Sequence, residues 1–153
     1  MELKYYQLEP KAYLNLFRVY KAKVINLRAE IDRLEDPTTS VRMDGLPRSG
    51  GINHPTEDAA LRLAEVKAKY KEAIKVSDEV CDDIMDTINT LEDPRSARLL
   101  NLRYCQGLAW YKIASQLYYS EAYVKKELHT KALEQVELEM KRKARRLTDE
   151  SGL

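Results

Sequence analysis

The chain has 153 residues, of which 33% are charged and 44% are hydrophobic, and its net charge is only +1. This composition argues against a disordered chain and favours a soluble, helix-rich protein of one ordinary domain or two small ones. No apolar run approaches the roughly 20 residues that cross a bilayer. The N-terminus also lacks the basic and then apolar order of a signal peptide, so we expect a cytoplasmic protein without membrane contact.

An amphipathic helix is predicted over residues 9–35. Its apolar positions recur every three or four residues, which is the period of one helix face. They are Tyr13, Leu16, Tyr20, Val24, Leu27, Ile31 and Leu34. The helix should end before Pro37, because proline disfavours helical backbone in the residue that precedes it. Residues 37–55 hold three prolines and three glycines without periodicity, and they predict a mobile loop.

A second long helix is predicted over residues 56–92, with Thr56 as its N-cap and two acidic residues in its first turn. One amphipathic helix of this length cannot bury its own apolar stripe. The first helix should therefore pack against it. The sequence predicts an all-α fold in which a long N-terminal helical hairpin, coiled-coil-like and oligomerising, occupies residues 1–93. A homodimer formed through this hairpin is the expected assembly.

Three short helices follow in residues 94–153. Asp93 and Pro94 form a cap and first turn, Gly107 is a helix stop, and Ser120 is an N-cap for the segment "EAYVKKELHTKAL". Two helices joined by three or four residues are typical of a helix-turn-helix, whose second helix enters the major groove of DNA. Residues 94–153 are therefore predicted to be a C-terminal helix-turn-helix domain with a basic tail.

The last of these helices should be anchored by Val124 and Leu128, which lie four residues apart. At 100° per residue, the side chains opposite this pair are polar, aromatic or cationic, and they could touch bases or phosphates. The candidate DNA-binding residues, including two from the tail, are Tyr119, Ser120, Ala122, Tyr123, Lys125, Lys126, His129, Thr130, Lys141 and Arg142. After Ala132 the stripe moves to Leu133, Val136 and Met140, which predicts a bend or a second apolar face.

Charge is distributed unevenly along the chain. Residues 56–93 contain 5 basic and 11 acidic residues, a net −6, whereas residues 94–153 contain 12 basic and 7 acidic residues, a net +5. Five of those cations lie between Lys141 and Arg146. Such asymmetry hints at a part that faces nucleic acid, although a solvated helical surface and a frayed basic tail remain open readings.

The segment "LLNLRYCQGLAWYKIASQLYYSEAYVKKELHTKAL" resembles the helix-turn-helix of sigma-factor region 4. More narrowly, it resembles the small phage regulators of the RinA/ArpU type, which control late or packaging genes. The residues that carry the resemblance are Leu99, Leu102, Arg103, Tyr104, Gly107, Leu108, Trp110, Ile113, Ala114, Leu117, Tyr119, Ser120, Val124, His129, Ala132 and Leu133. The recognition helix departs from the arginine-rich helix of sigma factors, because it reads "EAYVKKELH".

The resemblance implies a sequence-specific transcriptional regulator of a phage or prophage, in the cytoplasm of a bacterial host. Double-stranded DNA is the expected partner, and host RNA polymerase is a further one. A small terminase subunit is an alternative, since it joins a helix-turn-helix to oligomerising helices and forms rings. A helical scaffold or polymerase adaptor that binds no DNA is another.

An enzyme is not expected. Neither a nucleophile–base arrangement nor a phosphate-cradling glycine loop is recognisable, so the sequence predicts no catalytic residue, no cofactor and no small-molecule substrate. The two histidines lack neighbours at metal-ligand spacing, so no metal site is predicted. Cys81 and Cys105 are expected to be free, buried or half-buried thiols. The aspartates from Asp82 to Asp86 are expected on a solvated face.

Overall fold

A computed structural model describes residues 1–36 and 57–152 of the chain. Within these ranges every regular element is helical. The elements are α1 (Leu3–Tyr6), α2 (Pro10–Glu35), α3 (Glu57–Thr90), α4 (Pro94–Leu100), α5 (Trp110–Leu117), α6 (Glu121–Tyr123) and α7 (His129–Glu150). Two π-helical turns, Asn101–Cys105 and Val124–Leu128, continue α4 and join α6 to α7. The predicted all-α class and both long helices are confirmed, whereas the predicted loop and the Thr56 cap lie outside the described residues.

The chain divides into two compact units. One unit is Met1–Tyr20 with Asp78–Leu153, and the other is Lys21–Ser77. This division differs from the predicted boundary at residue 93, because the start of the chain and the end of α3 pack with the C-terminal helices. The unit that contains Asp78–Leu153, together with Met1–Tyr20, is called the C-terminal unit, and Lys21–Ser77 is called the distal unit.

The distal unit contains the later part of α2 and the earlier part of α3. Ile31 and Val66 are buried, with 2% and 5% of their surfaces exposed. Ion pairs between the two helices join Lys67 to Glu35 at 2.9 Å and Arg62 to Glu30 at 3.4 Å. These exposed pairs contribute little free energy each, so the buried apolar side chains account for most of the contact.

The C-terminal unit has a dense apolar core drawn from every long element in it. Its largest fully buried side chains are Tyr13, Leu14, Val80, Ile84, Ile88, Leu99, Leu100, Ile113, Val124, Leu128, Val136 and Met140. Leu99 and Leu100 in α4 face this core, and α4 packs on α7. The helix starts follow the predicted signals: the Asp93 carboxylate accepts from the Arg95 backbone N–H, and Pro94 occupies the first turn.

A polar cluster is buried within this core at Lys143. The Lys143 ammonium donates to Thr87 Oγ1 at 2.8 Å and to Asp83 Oδ1 at 3.2 Å. The Tyr6 and Tyr13 hydroxyls donate to the same carboxylate at 2.6 and 2.5 Å. Burial and the bond to Asp83 raise the pKa of Tyr13 far above its usual range. The cluster ties α1, α2, α3 and α7 together.

Five buried apolar residues at intervals of four run from the π turn at Val124–Leu128 into α7. Val124, Leu128, Ala132, Val136 and Met140 follow at intervals of four residues, and all are at most 2% exposed. In a regular α-helix such a spacing drifts by about 40° at each step, because a turn holds 3.6 residues. A wider turn closed by an i→i+5 bond reduces this drift only within the turn itself, between Val124 and Leu128. Val136 and Met140 therefore lie about 80° and 120° around α7 from Leu128 and are also buried, which agrees with the predicted second apolar face.

Candidate nucleic-acid interface

Three residues connect α5 to α6. Tyr118 adopts a left-handed conformation with φ of 61°, and the Tyr119 backbone N–H donates to the Ala114 carbonyl at 3.1 Å. Ser120 then caps α6, since its hydroxyl accepts from the Tyr123 backbone N–H at 3.2 Å. Ala114 is 5% exposed where α5 meets its neighbours. The predicted stop and restart are thus both present, with a tyrosine in the backbone conformation that glycine usually takes.

The segment from Glu121 to Leu128 has one buried side and one open side. Val124 and Leu128 are 0% and 1% exposed, as predicted for its anchors. Ala122, Lys125 and Lys126 are exposed. Among the described residues, neither lysine is engaged in an ion pair. Both ammonium groups are thus available to an anion or a hydrogen-bond acceptor.

Tyr119 and Tyr123 form an aromatic pair beside this open side, with ring centroids 5.1 Å apart. Arg95, in the first turn of α4, donates from Nη1 to the Tyr119 hydroxyl at 3.0 Å. Tyr119 is 38% exposed and Tyr123 is half-buried. Arg95 was not among the predicted site residues. No local sequence signal marks it, because its partner Tyr119 lies 24 residues away.

Tyr118 was also missed. Its side chain is 93% exposed. A left-handed non-glycine residue costs about 1 kcal/mol or more, and such strain is concentrated at functional sites. A tight turn between two helices needs a residue with positive φ, and the turn at residues 118–120 contains no glycine. This absence was the sequence signal that could have identified Tyr118.

His129 was predicted to face the bases, and that prediction is wrong. Its ring is 8% exposed, and its Nε2 shares a hydrogen bond of 2.7 Å with the Tyr104 hydroxyl. The Trp110 ring packs edge-on against it with centroids 4.7 Å apart. The π turn explains the difference, because the His129 backbone N–H bonds to the Val124 carbonyl and places His129 over a buried residue. Burial, Lys11 and Arg103 lower the pKa of His129 to about 4.

Three further predicted DNA contacts, Thr130, Lys141 and Arg142, are exposed. The polar group of each already has a partner within the protein. The Thr130 hydroxyl donates to the Lys126 carbonyl at 2.6 Å, so it can offer a base only an acceptor. Lys141 pairs with Glu137 at 3.4 Å, and Arg142 pairs with Glu139 at 3.7 Å. These intrahelical pairs lower the positive potential of the tail.

Lys143 must be removed from the predicted run of five phosphate-binding cations. It is 8% exposed and paired with Asp83, so it points inward. Asp83 is likewise half-buried, which corrects the expectation of a fully solvated aspartate face. Asp82 and Asp86 are exposed as expected.

Other site types find little support in the described parts of the chain. No group of three or more histidine, cysteine or acidic side chains within them could hold a metal ion. Cys81 is buried and Cys105 is half-buried, and both are free, as predicted. None of the described helices is both long enough and apolar enough to cross a membrane.

Comparisons with known proteins do not assign the chain to a family. No family model, curated protein or solved structure matches the chain.

Proposed function

We propose that residues 94–133 act as a helix-turn-helix that binds double-stranded DNA, with the segment from Glu121 to Leu133 lying in the major groove. The observation that carries this proposal is the two-sided segment itself. Val124 and Leu128 are fully buried, whereas Ala122, Lys125 and Lys126 are exposed just after a capped helix start. Arginine and lysine side chains that can donate to guanine O6 or N7 are the commonest readers of base edges.

The start of α6 supplies a second kind of contact. Ser120 and the tyrosine pair lie where free backbone N–H groups and hydroxyls can meet a DNA phosphate. Arg95 adds a cation beside Tyr119. In this arrangement Lys126 reads bases, whereas Ser120, Tyr119 and Lys125 position the protein on the backbone.

Because the chain resembles RinA/ArpU-type regulators, the proposed role is transcriptional control of late or packaging genes in a phage or prophage, in the bacterial cytoplasm.

The proposal includes a long helical hairpin, formed by α2 and α3, as the oligomerising region. Ile25 and Leu61 in the distal unit are 66% and 60% exposed, which favours burial against a second copy. Light scattering should give a dimer. A monomer would contradict this part of the proposal, and a ring of eight or more subunits would favour the terminase alternative.

The DNA-binding proposal is tested by selection from a random duplex library, followed by titration of the enriched site. Lys126→Ala should weaken binding to that site by roughly 1–3 kcal/mol, the usual value of one good base contact, and weaken random DNA much less. Lys141→Ala is the matched control, since an outer phosphate contact affects all sequences alike and flattens the salt dependence by about one unit. Circular dichroism must show unchanged helicity. Failure to enrich any sequence would contradict the proposal.

A further inference from the structure

A cleft in the C-terminal unit is lined by four cationic side chains and none that is acidic. It has a volume of about 410 Å³, and its wall consists of Lys11, Asn15, Arg18, Arg103, Tyr104, Trp110, Lys125 and His129. Pockets of this size are in the range that takes small ligands. The predicted contact Lys125 thus lies beside three cations that the sequence did not connect with it.

The two arginines of the cleft are held in place by backbone carbonyls. Arg103 donates from Nη1 to the Leu108 carbonyl at 3.1 Å, and its guanidinium lies 4.4 Å from the centre of the Trp110 ring. Arg18 donates from Nη2 to the Arg103 carbonyl at 3.0 Å. Carbonyls and an aromatic face orient a guanidinium without neutralising it. Each arginine therefore keeps its full charge and further N–H donors for a ligand.

The cations of the cleft are not balanced by carboxylates. In residues 1–36 and 57–152, no ion pair involves Lys11, Arg18, Arg103 or Lys125. Four like charges around one depression repel one another, and an anion placed among them would relieve that repulsion. The lowered pKa of His129, to which Lys11 and Arg103 contribute after burial, is consistent with this positive potential.

We propose that this cleft binds a phosphate group, with Arg18 and Arg103 as fork-shaped donors and Lys11 and Lys125 as flanking charges. Phosphate suits the cleft better than a carboxylate does, because its three or four oxygens can accept from several converging donors at once. The phosphate could belong to a DNA backbone or to a small phosphorylated ligand. The inference does not depend on the proposed function, because free phosphate alone tests it.

Trp110 is the chain's only tryptophan, so its fluorescence reports on the cleft directly. The full-length protein should be titrated with inorganic phosphate and pyrophosphate, with sodium chloride at matched ionic strength as the blank. We expect a saturable change with the phosphates that chloride does not reproduce. A parallel titration with duplex DNA identifies the source: a change with DNA points to backbone phosphate, and a change with the small anions alone points to a small ligand.

Arg18→Gln should weaken phosphate binding by about tenfold or more, the loss expected for a charge-assisted hydrogen bond. Arg18 is exposed, so this variant should fold. The matched control is Lys131→Gln, which removes an exposed charge that does not line the cleft, and it should change binding by less than about twofold. Lys11→Gln serves as a second cleft variant. Equal responses to phosphate and chloride, or equal losses in Arg18→Gln and Lys131→Gln, would overturn the proposal.

Discussion

Replacing Lys143 by methionine should destabilise the protein far more than its place in a basic tail suggests. Methionine retains much of the apolar stem of lysine but removes the ammonium group. That group lies 2.8 Å from Thr87 Oγ1, 3.0 Å from Asp86 Oδ2 and 3.2 Å from Asp83 Oδ1. Its removal leaves a half-buried carboxylate at Asp83 without a counter-charge.

The size of the loss in unfolding free energy depends on how well Asp83 is solvated and hydrogen-bonded once the Lys143 ammonium is removed. Removing one partner of a buried ion pair typically costs about 3–5 kcal/mol. Here two tyrosine hydroxyls still donate to Asp83, and its side chain is 15% exposed, which reduces the penalty. We therefore expect Lys143→Met to lower the free energy of unfolding by about 2–3 kcal/mol.

Urea unfolding at neutral pH, followed by circular dichroism, measures this loss as a shift in midpoint at constant slope. Lys141→Met is the control, because Lys141 is 63% exposed and its intrahelical pair with Glu137 contributes at most about 0.5 kcal/mol. If Lys143→Met is no more destabilising than Lys141→Met, the buried cluster does not hold these helices together.

Two further predictions concern the buried His129 and the half-buried Cys105. His129 has a pKa of about 4 in the folded chain against 6.5 unfolded, so the unfolded state binds the extra proton between these values. The contribution of His129 to the free energy of unfolding is full above pH 6.5 and falls as the pH drops towards 4, by at most about 3 kcal/mol. Because His129 lines an open cleft, solvent screening should reduce this loss to about 1–2 kcal/mol. His129→Gln should lose this part of the pH dependence, and parallel unfolding profiles of variant and wild type would contradict it. Burial raises the pKa of Cys105 to about 11, so in a Cys81→Ser background iodoacetamide should alkylate it on the order of 100-fold more slowly than in urea. Equal rates would show that the thiol is solvated.

The helix ends were predictable because their signals are local. Asp93 with Pro94, Gly107 and Ser120 each act on the backbone within a few residues, and each lies at the boundary it predicted. The anchors Val124 and Leu128 were equally accessible, since one turn of helix relates them.

The orientation of His129 was not predictable at 100° per residue, because the π turn breaks that period. The bond from the His129 backbone N–H to the Val124 carbonyl, and the burial of His129 beside Tyr104 and Trp110, are seen only in the folded chain.

Contacts between residues far apart in the sequence could not be predicted from the sequence. Lys143 meets Asp83 across 60 residues, and Arg18 meets the Arg103 carbonyl across 85. Nothing local distinguishes Lys143 from its exposed neighbours, or Arg103 from any other arginine in a short helix. The cationic cleft and the buried cluster therefore emerge only when the helices are packed.

We propose that the segment from Glu121 to Leu133 lies in the major groove of DNA. Affinity cleavage tests it most directly, with an iron chelate attached to Ala122→Cys in a chain whose two native cysteines are replaced by serine. Ala122 is exposed, so the probe should not disturb the anchors. We expect strand cuts confined to a few neighbouring nucleotides inside the selected site, in the pattern of a major-groove source. Cuts spread evenly along the duplex, or no cuts at all on a site that the protein still occupies, would contradict it.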